Sequence, residues 1–154
     1  MVAPVQAICD YIYNDLATNV GGITDAKSHL YVPWSKEARS AKQGARHISV
    51  HINAEDVLEF TTQTRELLDH VEVLVWEDAM AAGANRVDDP AGDLAFIQLW
   101  EAIRARFFSF TTWTLGSMAL VESCRYMGTQ FSSDASIRAM SLILEVRTID
   151  AFTT

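Results

Sequence analysis

The chain has 154 residues, 49% of them hydrophobic and 21% charged. That composition excludes a disordered chain, and at this length it points to one domain over residues 1–154, since a second core would be too small to stand alone. A net charge of −8 excludes broad affinity for nucleic-acid phosphates or anionic membranes.

Residues Met1 to Gln6 lack the basic start and apolar centre of a secretory signal, so the expectation is a protein that stays inside the cell that makes it. The longest uncharged run, Phe107 to Val121, is broken by Ser109, Thr111, Thr112, Thr114, Gly116 and Ser117. It is also shorter than the ~20 apolar residues of a membrane span. Cys9 and Cys124 are far apart and form no C-x-x-C pair, which predicts small buried hydrophobes in a reducing compartment.

Val5, Ile8, Ile12 and Leu16 recur at helical spacing, with Pro4 tolerated in a first turn and Gly21-Gly22 as a stop, predicting a helix over Ala3–Asn19. His29–Trp34 has β-rich content, restricted by Pro33 to an edge or a strand end. Ser35–Gln43 reads as a basic loop, part of an extended basic segment at about 35–46. Ile48, Val50 and Ile52 then alternate with His47, Ser49, His51 and Asn53, the mark of a strand with one dry face. A further strand is expected over Val57–Thr64 and a clearer one over Leu68–Trp76, where Val71, Val73 and Val75 share a face. Ala79–Gly92 reads as a loop or short helix leading to a cap at Asp93.

From Asp93 to Phe107 the stripe Phe96, Ile97, Trp100, Ile103 and Phe107 predicts the main core helix, in which truncating a buried Trp100 would cost roughly 3–5 kcal/mol. Met118–Met127 and Ile137–Ile149 read as a closing hairpin with Gly128–Asp134 between them. The fold class expected is α+β, an antiparallel or mixed sheet packed by a central amphipathic helix, with an N-terminal helix. No internal repeat is visible.

Charge is separated along the chain. Between Lys27 and His47, five bases (Lys27, Lys36, Arg39, Lys42 and Arg46) stand against Glu37 alone, a net of +4. Ala54–Leu94 reverses the sign to a net of −9, through Glu55, Asp56, Glu59, Glu66, Asp69, Glu72, Glu77 and four later aspartates.

Catalytic and metal motifs do not assemble. His47 and His51, four apart on a strand, lie roughly 13 Å from each other, beyond common coordination of one ion. Asp88, Asp89 and Asp93 lack the order and the distal glutamate of a calcium loop, and suit turn formation and capping. There is no G-x-S-x-G, and Gly21-Gly22 is neither a P-loop nor a dinucleotide fingerprint. No cofactor is implied. Tyr31, Trp34 and Phe60 would suit base stacking, but the overall acidity favours packing roles for them. Phe107, Phe108, Phe110 and Trp113 crowd the end of the main helix, where apolar residues left exposed would mark a partner surface.

The order helix, strands with a long arm, central helix, closing hairpin resembles the tail terminator (tail completion) proteins of long-tailed bacteriophages. The residues carrying the resemblance are the opening Val5-Gln-Ala-Ile-Cys-Asp-Tyr-Ile12 helix, the Val71–Trp76 strand, the Asp93–Phe107 helix and the Met140–Ile149 strand. It implies a non-enzymatic virion subunit, made in the host cytoplasm, that forms a ring, usually a hexamer. Such a ring caps the tail tube, joins it to the head-tail connector protein and lets DNA pass without specific binding. The basic segment and the Asp78–Gly92 connection have no close counterpart in that pattern.

A head-to-tail ring needs two unlike complementary patches on each subunit. The expected interface sets the bases Lys36, Arg39, Lys42 and Arg46 of one copy against Glu55, Glu59, Glu66, Glu72 and Glu77 of the next. The competing view of both charge runs is that they are solvated faces. Two other functional classes stay open: a dimeric α+β enzyme or ligand-binding domain, with a pocket between sheet and helix using Tyr126, Arg125 and His51, or another neck component.

Overall fold

The computed structural model describes residues 5–21, 46–60, 64–78, 90–110, 115, 121–133 and 137–151. Its elements run α1 (Val5–Asn19), β1 (Arg46–Phe60), β2 (Thr64–Asp78), α2 (Pro90–Phe110), β3 (Val121–Ser133) and β4 (Ile137–Ala151). The four strands form one antiparallel sheet in the order β1-β2-β4-β3. The α+β class expected from the sequence is the one observed, with every strand pair antiparallel. An α–β–β unit occurs twice, and the second strand of each unit lies at the centre of the sheet, a structural repeat that the residue pattern does not display.

Period-two patterning decides which sheet face is dry. Val71, Val73 and Val75 of β2 and Met140, Leu142, Leu144 and Val146 of β4 point to one side, and all are fully buried. Both helices cover that face. Ile8, Ile12 and Leu16 form the seam of α1, each completely buried and worth roughly 1.5–3 kcal/mol. The seam of α2 is Phe96, Leu99, Ile103 and Phe107. The predicted stripe is therefore corrected by a few tens of degrees: Leu99 replaces Ile97, which is 37% exposed, and Trp100 is only partly buried. Asp15 of α1 and Arg106 of α2 tie the helices side by side through two hydrogen bonds of 2.9 and 2.7 Å.

Asp93 is not an N-cap. The helix begins three residues earlier at Pro90, whose fixed φ and missing N–H suit a first helical turn. Asp93 instead accepts a 2.8 Å hydrogen bond from Nε of the buried Arg138, and Glu77 lies 3.5 Å from the same guanidinium. Gly92 makes room for this group, because a Cβ there would lie 2.6 Å from Arg138 Nη2.

Two strands differ from expectation through bulges. The expected Val57–Thr64 strand is not separate: Val57 to Phe60 continue β1, which shifts register after Ile52 and again after Val57, residues 61–63 lie outside the described residues, and Thr64 opens β2. The expected Gly128–Asp134 loop is instead mostly strand: β3 shifts register between Tyr126 and Gly128 and continues to Ser133. Gly128 has φ 138°, a conformation side chains rarely tolerate. Cys9 and Cys124 are buried free thiols, as expected. The His29–Trp34 strand and the Ser35–Gln43 loop lie outside the described residues, as does the 79–89 connection. Among the described residues no helix is long and apolar enough to cross a membrane.

Candidate functional site

Alternation along β1 and β2 distributes the predicted acidic interface over two sides of the sheet. Glu77 turns toward the helices and pairs with Arg138. Glu66 turns the other way, to the outer face, where Arg147 lies 3.1 Å from it. Glu72 also lies on the outer face, and Glu55 is exposed opposite Asp69. Glu59 belongs to β1, paired with Glu66 in the ladder. Glu55, Glu66, Glu72 and Glu77 follow one hairpin without forming a single patch. On the basic side, Arg46 opens β1, while Lys36, Arg39 and Lys42 lie outside the described residues.

The outer face carries a polar network that single-residue reading missed. Cross-strand pairing sets His51 opposite Glu72, and His51 Nε2 lies 2.7 Å from Glu72 Oε1. The other ring nitrogen, Nδ1, is 2.8 Å from Ser49 Oγ, and Ser141 of β4 donates to the second Glu72 oxygen. The His51 hydrogen bond holds the Glu72 carboxyl below its ordinary pKa, helped by Ser141 and opposed by partial burial. A Ser–His–Glu chain invites a nucleophilic reading, but Ser49 and His51 are completely buried. In this arrangement the network orders the side chains that it joins. The available signal was Ser49-x-His51 on one strand face, legible only once the hairpin register is known.

Beside this network the outer face is concave. The bulge after Ile52 in β1 and the bulge at Gly128 in β3 fall at the same height on opposite edges, and bulges bend a strand and increase its local twist. Between them lies a cleft of about 530 Å³ whose walls include Asn53, Glu72, Gln130, Ser141, Ile143 and Glu145. Arg125 reaches Glu145 at 3.0 Å but is 64% exposed, and His70 sits 3.1 Å from Asp56.

A second cleft, of about 380 Å³, opens between the start of α2 and the sheet, lined by Asp93, Phe96, Ile97, Phe131 and Arg138. None of the three residues considered for a sheet–helix pocket lines it. Tyr126 faces the helices, hydrogen-bonded to Thr129 and 5.9 Å from the Phe107 ring. Arg125 and His51 lie on the outer face, so the trio does not converge. Among the described residues no group of three His, Cys, Asp or Glu side chains is placed to hold a metal ion.

Several exposed apolar side chains fall on two different flanks, besides Val5 of α1 and Met127 at the outer-face cleft. Val57 is 58% exposed and Leu58 44% exposed toward the end of edge strand β1. Across the sheet Leu94, Phe108 and Phe131 are exposed on α2 and β3. Part of the aromatic crowding at the end of α2 is thus superficial, with Phe108 packed edge-on to Tyr126. The chain matches no protein-family model and no curated protein.

Proposed function

We propose that this chain is a structural subunit of a long-tailed bacteriophage, a tail terminator whose copies associate head to tail into a ring. The ring, a hexamer in this reading, caps the tail tube at the head-proximal end and joins it to the connector. The observation that supports it most directly is the pair of unlike apolar flanks at opposite sheet edges, Val57 and Leu58 on one and Leu94, Phe108 and Phe131 on the other. Two different patches on opposite sides of a subunit suit heterologous contact between successive copies, whereas a two-fold dimer requires one patch that matches itself.

The separated charge adds direction. The basic segment of one copy meets the outer-face carboxylates of the next, and carboxylates left facing the bore repel the DNA backbone so that a genome slides instead of sticking. Negative-stain imaging of the purified protein tests the reading: annular particles are expected, and discrete dimers or monomers at every concentration overturn it. Lys42→Glu with Arg46→Glu is expected to abolish the ring at low salt. A ring that survives this double reversal removes the basic segment as the clamp.

A further inference from the structure

We infer that the outer-face cleft is the acceptor for cationic side chains from the Lys36–Arg46 segment of a second copy, an assignment that rests on the ring reading above. Its lining chemistry is that of an acceptor. Glu72 and Glu145 present carboxylates, the latter also met by the largely exposed Arg125 at 3.0 Å, Ser141, Asn53 and Gln130 add neutral oxygens, and among the described residues no lysine or arginine lines it. Ile143 lies on its floor, an apolar surface on which the methylene stem of a long basic side chain can rest while its head group reaches the carboxylates. The hydrogen bonds from His51 and Ser141 fix the orientation of Glu72 in advance, which lowers the entropy lost when a guanidinium docks. Glycine at position 128 keeps one rim open, since a Cβ there would meet nothing within 4 Å.

The occupant follows from where the remaining positive charge lies. Arg106, Arg125, Arg138 and Arg147 are ion-paired within their own domain, Arg104 stacks over Trp100 at 4.2 Å, Arg65 is engaged on β2, and Arg86 stands alone in an acidic stretch outside the described residues. All three lysines of the chain, with Arg39 and Arg46, fall between residues 27 and 47. That segment is the concentrated cationic element of an otherwise acidic protein, and the cleft is a concave anionic surface matched to it.

The test separates donor from acceptor. An arm variant (Lys36→Gln, Arg39→Gln, Lys42→Gln) is titrated with a fluorescent peptide spanning residues 35–47, with and without the cleft changes Glu72→Gln and Glu145→Gln. Peptide affinity should fall about tenfold or more when the cleft is neutralised. Glu101→Gln, on the exposed side of α2, should leave it unchanged. Ile143→Lys, which fills the cleft with a cation but leaves the Glu72 network intact, should have the same effect as neutralisation. In sedimentation velocity, arm variant and cleft variant should each stay monomeric and form a 1:1 complex when mixed. Equal peptide affinity with and without the cleft changes, or no binding at all, overturns the assignment even if the wild type forms rings. Cleft-dependent peptide binding by a protein that never self-associates and shows no mixed complex overturns the second copy as occupant and, separately, the ring.

Discussion

Asp69 offers the sharpest test of the physical account of the core. It belongs to the helix-facing row of β2 with Leu67 and Val71, is 1% exposed, and the polar group it meets is the Glu55 carboxyl, to which the protonated acid can donate a hydrogen bond. Burial first, then the Glu55 carboxyl facing it across the ladder, pushes its pKa from 3.8 up to about 7. An acid that holds its proton more tightly when folded loses stability as pH rises. Below the unfolded value both states are protonated and nothing is lost. Between about 4 and 7 only the unfolded chain ionises, and above 7 both states are charged. The folded state is then penalised by roughly 4 kcal/mol at most, at ~1.4 kcal/mol per tenfold change in proton affinity. Asp69→Asn keeps the shape and removes the titration. Urea unfolding of both proteins from pH 4 to 9, taken as a difference so that other titrating groups cancel, should show little change near pH 4. The variant should be favoured by about 1–3 kcal/mol at pH 8.5. A difference curve that stays flat across this range would refute the reasoning, because a carboxyl as hidden as this one cannot ionise without cost.

Three further outcomes follow from the packing. Trp100→Ala should destabilise by about 2–3 kcal/mol in chemical denaturation, below the cost for a buried tryptophan, because the ring is only partly covered. The loss includes its indole hydrogen bond to Thr129 (3.0 Å) and its edge contact with Phe131. Gly128→Ala should cost about 1–3 kcal/mol through backbone strain alone, since φ 138° is unfavourable for alanine while space for the methyl is open. A neutral result in thermal melts would mean that the bulge can relax. Both thiols, raised by burial to about 12, should resist a thiol-specific reagent in the native protein and react once it is unfolded in denaturant. Native labelling at the rate of a free peptide thiol would contradict their placement in the core.

How much of this was legible in the sequence depends on whether a signal was local. Alternating valines gave the face of β2, and the Ile8, Ile12, Leu16 spacing gave the seam of α1, because a single element determines each pattern. The bulges were not legible. After Ile52 the alternation breaks, which resembles a strand ending, whereas β1 absorbs an extra residue and runs on to Phe60. Gly128, followed by a serine pair and Asp134, has loop composition, yet glycine there serves a strand that must bend. Asp93 has the side chain of a cap, but its partner Arg138 lies 45 residues away, and no nearby residue signals it. The Ser49–His51–Glu72–Ser141 network depends on the register between three strands, so its members look ordinary when read one at a time. For the same reason the acidic run looks like one surface in sequence and is divided between two faces by the pleat.

The ladder between β2 and β4 runs from Thr64 to Asp78 without a register shift, whereas the ladders to β1 and β3 are each interrupted twice. The domain therefore has a stiff keel and two compliant gunwales. In any assembly built through its margins, small differences in the angle between successive copies would be taken up at those interruptions. The keel would keep its shape, and the hydrophobic interior beneath it would stay closed to water while the rims adjust.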